Sequence, residues 1–175
     1  MVTSMSKRPN NKQNLPKKQE RQDISNMYIV YTDGSADNMN PMRPAGCAFI
    51  ILNPFTHEVI DKYSEGFKGL TNNQAELNSI VSAIDALPKG ANCCIFTDSR
   101  YCISVLDHKK QTFEKNVPFI EQFRYLVEEK NISYTFKWVR GHYTDKWNAE
   151  VDSMANSAYQ YMAEKLKSKE HGNIY

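Results

Sequence analysis

The chain has 175 residues, 41% of them apolar and 24% charged, with a formal net charge of +2. That length supplies one domain with a proper core and is too short for two comfortable ones. The longest unbroken apolar run, Cys47 to Leu52, falls far short of a bilayer span, and no charged-then-apolar leader opens the chain, so a membrane protein or secreted protein is not expected.

Residues 1–26 are rich in Asn, Gln, Lys, Ser and Pro and contain no aromatic residue. Lys7, Arg8, Lys12, Lys17, Lys18 and Arg21 face only Glu20 and Asp23, a balance of +4 that leaves −2 for residues 27–175. Such a stretch buries too little apolar surface to offset its chain entropy, so a disordered basic tail is expected. It reads as a solubilising leader or as a non-specific tether for a polyanion. The remainder is not a basic nucleic-acid-binding module by charge alone.

From Met27 the pattern is globular. Met27 to Thr32 reads as a strand that delivers Asp33 to its tip and then turns sharply at Gly34. An irregular loop, DGSADNMNPMRP, follows. Ala45 to Leu52 and Val59 to Phe67 read as two further strands of a meander. In QAELNSIVSAIDAL, residues Leu77, Ile80, Val81, Ile84 and Leu87 recur at helical spacing, and Pro88, Lys89 and Gly90 stop that helix. Cys93 to Thr97 is a short strand ending in Asp98. Ser99 caps a helix through about Leu106. Val117 to Glu129 is a helix, Ser133 to Val139 a fifth strand, and Asn148 to about Lys167 a final helix, with 169–175 as a tail. The order β-β-β-α-β-α-α-β-α predicts an α/β fold with a mixed sheet flanked by helices. In such sheets, active groups gather at the carboxyl ends of the parallel strands.

Cys47, Cys93, Cys94 and Cys102 form no CxxC pair and lie in apolar segments. They are read as reduced core residues of a cytosolic-type protein.

Four acids stand out. Asp33 lies in YTDGS and Asp98 in FTDSR, and these two echoing strand ends would set two carboxylates side by side if the strands pair in parallel. Glu76 lies in the first turn or so of the first helix, and Asp152 in the first turn or two of the last. Each alone is an ordinary turn or cap residue. Together in one pocket they would repel one another and raise their pKa values unless a cation bound them. Oxygen-only ligation selects hard ions, Mg²⁺ or Mn²⁺. Carboxylates bridging two such ions recur in phosphodiester cleavage.

The stretches YTDGS (31–35), TNNQAEL (71–77), TDSRY (97–101), VRGH (139–142) and NAEVD (148–152) occur in the order and near the spacings of the type 1 ribonuclease H (RNase HI) family, which the chain resembles over about residues 27–165. The loop after DGS and the missing basic, Trp-containing handle (here LDHKKQTFEKN) are closer to retroviral-type RNase H domains. The resemblance implies an RNase H-like fold, with a three-stranded antiparallel meander plus two parallel strands, as a catalytic domain over 27–168. It implies that Asp33, Glu76, Asp98 and Asp152 hold two Mg²⁺ ions, for which Mn²⁺ can substitute. It further implies endonucleolytic hydrolysis of the RNA strand of an RNA–DNA hybrid, leaving 5′-phosphate and 3′-hydroxyl ends. His142, ten residues before Asp152, matches a loop histidine that relays protons or helps product leave. Asn72 and Asn73 match residues that touch the minor groove, where the 2′-hydroxyl is read. Thr71 matches a DNA-phosphate contact, Arg100 an RNA-strand contact, and Asn148 a support for the last metal ligand; Gly34 and Ser35 join the substrate-binding set. Trp138 and Trp147 are expected to pack under and beside the His142 loop rather than stack on substrate. A cytoplasmic monomer is expected, nuclear or organellar in a eukaryote. The rival readings are a non-catalytic hybrid binder of the same fold and a nuclease for DNA or branched junctions.

Overall fold

Pro44–Leu52 is buried at all nine positions, so this strand has a covered layer on both faces. The computed structural model describes residues 23–107, 115–140 and 145–172. Its elements are β1 Tyr28–Ala36, β2 Pro44–Leu52, β3 Val59–Lys68, α1 Asn72–Ala86, β4 Asn92–Thr97, α2 Arg100–Leu106, α3 Val117–Glu129, β5 Ser133–Trp138 and α4 Lys146–Gly172. The five strands lie in the order β3-β2-β1-β4-β5. β1, β2 and β3 form the antiparallel meander, and β4 and β5 add parallel to β1. This is the mixed sheet expected from the order of elements.

Alternation along the strands feeds two cores. Val30, Phe49, Ile51 and Ile95 face α1 and α3 and pack with Leu77, Ile80, Ile84 and Phe123. Ile29, Tyr31, Ile50 and Cys94 face the other way and pack with Val151 and Ala155 of α4. Each fully buried aliphatic side chain contributes about 1.5–3 kcal/mol. All four cysteines are buried free thiols, as expected, and burial raises the pKa of each, so they behave as core residues. Ile24 and Met27, which lead into β1, pack against the α4-side core.

Two elements run further than their sequence patterns indicate. β1 does not end at Thr32. It continues through Asp33 to Ala36, paired antiparallel with β2 from Asp33↔Ala48 to Ala36↔Ala45. The expected sharp turn at Gly34 is therefore absent, and the connecting turn is confined to residues 37–43. α4 passes Lys167 and ends at Gly172, with Lys169 and His171 in its last turn, where positive charge suits the helix dipole. β5 stops at Trp138, one residue early, although the Val139 amide still donates to the Thr97 carbonyl at 3.0 Å.

Candidate active site

The site lies where β1 loses its parallel neighbour. β1 and β4 pair from Tyr28↔Cys93 to Tyr31↔Phe96, and the rings of that last pair stack at 4.8 Å. Side chains alternate with a period of two, so the next residues on that face are Asp33 and Asp98. The echo between YTDGS and FTDSR thus becomes a parallel pair of acids. Asp33 is nevertheless in mid-strand on its β2 side; only its β4 side is open.

Glu76 reaches the same point from α1. Thr71 starts that helix with a capping box: its hydroxyl accepts from the Gln74 amide (3.2 Å) while the Gln74 side chain accepts from the Thr71 amide (3.0 Å). α1 then lies directly on β1. A Cβ on Gly34 would stand 2.4 Å from the Ala75 carbonyl carbon and the Glu76 nitrogen, so glycine is required for close approach and not for a turn. The Ser79 hydroxyl clamps the contact by donating to the Asp33 carbonyl at 2.6 Å. Glu76 is buried, and the Gly34 amide bonds to its carboxylate.

Oxygen atoms of Asp33, Glu76 and Asp98 all lie within 4.8 Å of one another. Burial first, then the Asp98 charge and contact with Asp152, push the pKa of Asp33 up to about 8. Burial and the charges of Asp33 and Asp98 hold Glu76 well above the ordinary carboxylate range. Glu76 Oε2 is buried and has no hydrogen-bond partner. A buried acceptor on a carboxylate set among like charges, with no donor to meet it, fits a cation-binding site. The all-carboxylate donor set fits Mg²⁺ or Mn²⁺.

Asp152, on the second turn of α4, shares a hydrogen bond with Asp33 and, like Asp98, is half-buried. It is propped by a relay that local sequence does not reveal. Ser35 Oγ donates to Asn156 Oδ1 (2.9 Å), and Asn156 Nδ2 donates to Asp152 Oδ1 (3.4 Å). Asn148 is buried one turn before Asp152. A second link ties the start of α4 to β1: the Tyr31 hydroxyl donates to Asp145 Oδ2 (2.5 Å), while Asp145 Oδ1 accepts from the Trp147 amide (2.9 Å). Burial and the Asp145 carboxylate raise the Tyr31 pKa and keep it a donor. α4 rests on β2 at Gly46, where a Cβ would stand 2.0 Å from the Ala155 carbonyl oxygen.

Around the acids, Asn72 and Asn73 are exposed on the first turn of α1. The Asn72 amide donates to Asn38 Oδ1 (2.8 Å), stitching the 37–43 turn to that helix. Gln74 Nε2 donates to Asn116 Oδ1 (3.2 Å) and Asn116 Nδ2 to the Tyr101 hydroxyl (2.7 Å), which joins α1, α2 and the start of α3. Asn116 has φ 59, a left-handed position that asparagine tolerates. Ser99 caps α2 by accepting from the Cys102 amide at 3.1 Å. Arg100, also exposed, holds its guanidinium carbon 4.1 Å from the centre of the Trp138 ring. Trp147 packs on the α4-side core with Lys146 over its ring. His142, most of the LDHKKQTFEKN connection and most of the basic tail lie outside the described residues.

A protein-family model described as RNase H matches residues 25–160. A ribonuclease H of Lachnoclostridium phytofermentans is 31% identical over 142 residues, covering 74% of this chain and 89% of the relative. A ribonuclease HI of Synechocystis is 29% identical over 148 residues, covering 77% and 89%. Among solved structures, the N-terminal RNase H domain of a Mycobacterium tuberculosis protein, fused to maltose-binding protein, gives a TM-score of 0.62 at 18% identity, covering 79% of this chain and 99% of that one. That likeness bears on the fold alone.

Proposed function

The chain belongs to the RNase H family, and on that premise we propose that it hydrolyses the RNA strand of RNA–DNA hybrids with two divalent metal ions. The observation that carries this reading is the close-set carboxylate trio, two of its members buried, with the unpartnered Glu76 oxygen. Asp33, Glu76, Asp98 and Asp152 are the residues that would hold Mg²⁺ or Mn²⁺. When bound, such ions supply a nucleophile from water near neutral pH and stabilise charge at the leaving oxygen.

The chain's own residues do the rest. Asn156, held by Ser35, orients the Asp152 carboxylate. The stacked Tyr31–Phe96 pair and α1 close the floor of the site against water. The exposed amides of Asn72 and Asn73 both donate and accept, which suits a 2′-hydroxyl in a shallow minor groove. Thr71 meets a DNA-strand phosphate at the same helix start, Arg100 meets the RNA strand, and Asn148 supports the α4 side. His142 carries a proton to or from the cut ends, which are 5′-phosphate and 3′-hydroxyl. The chain works as a monomer, and among the described residues no helix is long and apolar enough to cross a membrane.

The test is cleavage of an RNA–DNA hybrid with either strand labelled, beside matched RNA and DNA duplexes, in Mg²⁺ and in EDTA. Metal-dependent cutting confined to the RNA strand of the hybrid is expected. Tight hybrid binding with no cutting would replace this reading with a non-catalytic binder.

A further inference from the structure

Trp138 stands beside the carboxylate cluster. The residue is 42% exposed, at the carboxyl end of β5 and opposite Thr97 in the register. It is fixed, because its indole Nε1 donates to the Asp98 carbonyl at 3.1 Å. Arg100, two residues past Asp98, lays its guanidinium on the ring. Beside them opens a shallow, solvent-open cavity of about 360 Å³ lined by Arg100, Ile103, Ser104 and Trp138. Its parts are an aromatic face, a planar cation, an apolar wall and one hydroxyl. It is coupled through the Asp98 backbone to the carboxylate cluster.

We propose that this cavity binds an unpaired nucleotide of the strand that passes the carboxylates, at the point where hybrid gives way to single strand. The inference rests on the ribonuclease H reading and deepens it. A base inside a duplex offers only its edges, since both faces are stacked on neighbours. A platform of guanidinium on indole has faces to offer, and single-stranded bases are held by stacking on aromatic rings and arginine planes. Arg100 also carries the positive charge for the adjoining phosphate. Because every base has a π-face, the site is indifferent to sequence. Its effect is to favour cutting near ends and junctions over the interior of a long hybrid.

The experiment compares a blunt hybrid with hybrids bearing a short single-stranded RNA extension at the 5′ or the 3′ end. The full chain is used in two readouts: KM for cleavage in Mg²⁺, and tryptophan fluorescence quenching on titration in EDTA. For the wild type, an extension of one polarity is expected to lower KM about 5–10-fold and to deepen quenching, in line with one stacked base. Arg100→Gln and Trp138→Phe should each bring the extended hybrid towards the blunt one, with the loss falling on KM, and Trp138→Phe should remove the extra quenching. Equal behaviour of blunt and extended hybrids in the wild type would overturn the proposal. So would discrimination that survives in both variants. Discrimination in EDTA without hybrid cleavage would uphold the cavity as a strand site while removing the ribonuclease reading; cleavage without discrimination would do the reverse.

Discussion

α1 and α4 each bring one acid to the same point from opposite faces of the sheet, and they do it differently. α1 has a capping box, buries Ala75, Glu76, Leu77, Ile80, Ala83 and Ile84, and meets β1 backbone to backbone at Gly34. Glu76 is placed by main chain. α4 is 27 residues long, yet the residues buried along it are Asn148, Val151, Ala155 and Leu166. Asp152 is placed by side chains, through Asn156 and Ser35. A carboxylate fixed by the backbone tolerates no change, whereas one held by a side-chain relay can be tuned. The two helices thus divide the site into a rigid half and an adjustable half.

The hardest blow to the rigid half is Glu76→Gln. It keeps the shape and removes the charge of a proposed metal ligand, and turnover should fall roughly 10³-fold or more. Hybrid cleavage within tenfold of wild type would break the comparison at its root. Asp98→Asn belongs with it, and its relief of repulsion should leave the fold at least as stable.

Next comes a stability effect of the same charges. The folded pKa values of Asp33 and Glu76 are raised. A raised carboxyl is protonated in the folded chain while the unfolded chain ionises. Its stabilisation is fully present below the unfolded pKa, near 4, and is lost as pH rises through the folded one, about 8 for Asp33. The melting temperature in EDTA should therefore fall between pH 4 and 8. Glu76→Gln should flatten that fall, and Mg²⁺ should oppose it by binding only the folded state. A melting temperature that rises with pH in EDTA would contradict the assignment of buried, mutually repelling acids.

Gly34→Ala tests the backbone contact itself. The added methyl meets main-chain atoms at 2.4 Å, so a loss of about 3 kcal/mol is expected in urea unfolding. A loss under about 0.5 kcal/mol, the range of ordinary surface changes, would show that α1 shifts freely. The adjustable half is tested most gently, by Asn156→Ala. Removing a group that orients a ligand costs about 10–100-fold in activity or metal affinity, so the Mg²⁺ concentration for half-maximal cleavage should rise while stability barely moves. An unchanged Mg²⁺ requirement would remove the relay.

The sequence was most informative where signals are local. Period-two and period-3.6 runs marked the strands and helices. The two T-D strand ends located the paired acids. What it hid has a common cause. β1 continues through TDGSA because β2 pairs with it, and polar residues hide a strand whose partner buries it. Ser35–Asn156 and Tyr31–Asp145 join residues more than a hundred positions apart, and nothing near either residue announces the bond. Gly34 looked like a turn because glycine in a D-G pair usually is one; only the approach of α1 gives it another purpose. Trp138 carried no sign that its face would be left to solvent and an arginine.

The contact between Asp33 and Asp152 also has a consequence in time. One acid lies on the first element of the sheet and the other on the last helix, so the cluster draws on both ends of the fold. A chain emerging from the ribosome exposes β1, α1 and β4, and hence three of the acids, before α4 has been made. The fourth arrives only when the final helix docks on β2. The Asp33–Asp152 contact is therefore among the last to form, and the four acids come together only once the whole fold has closed.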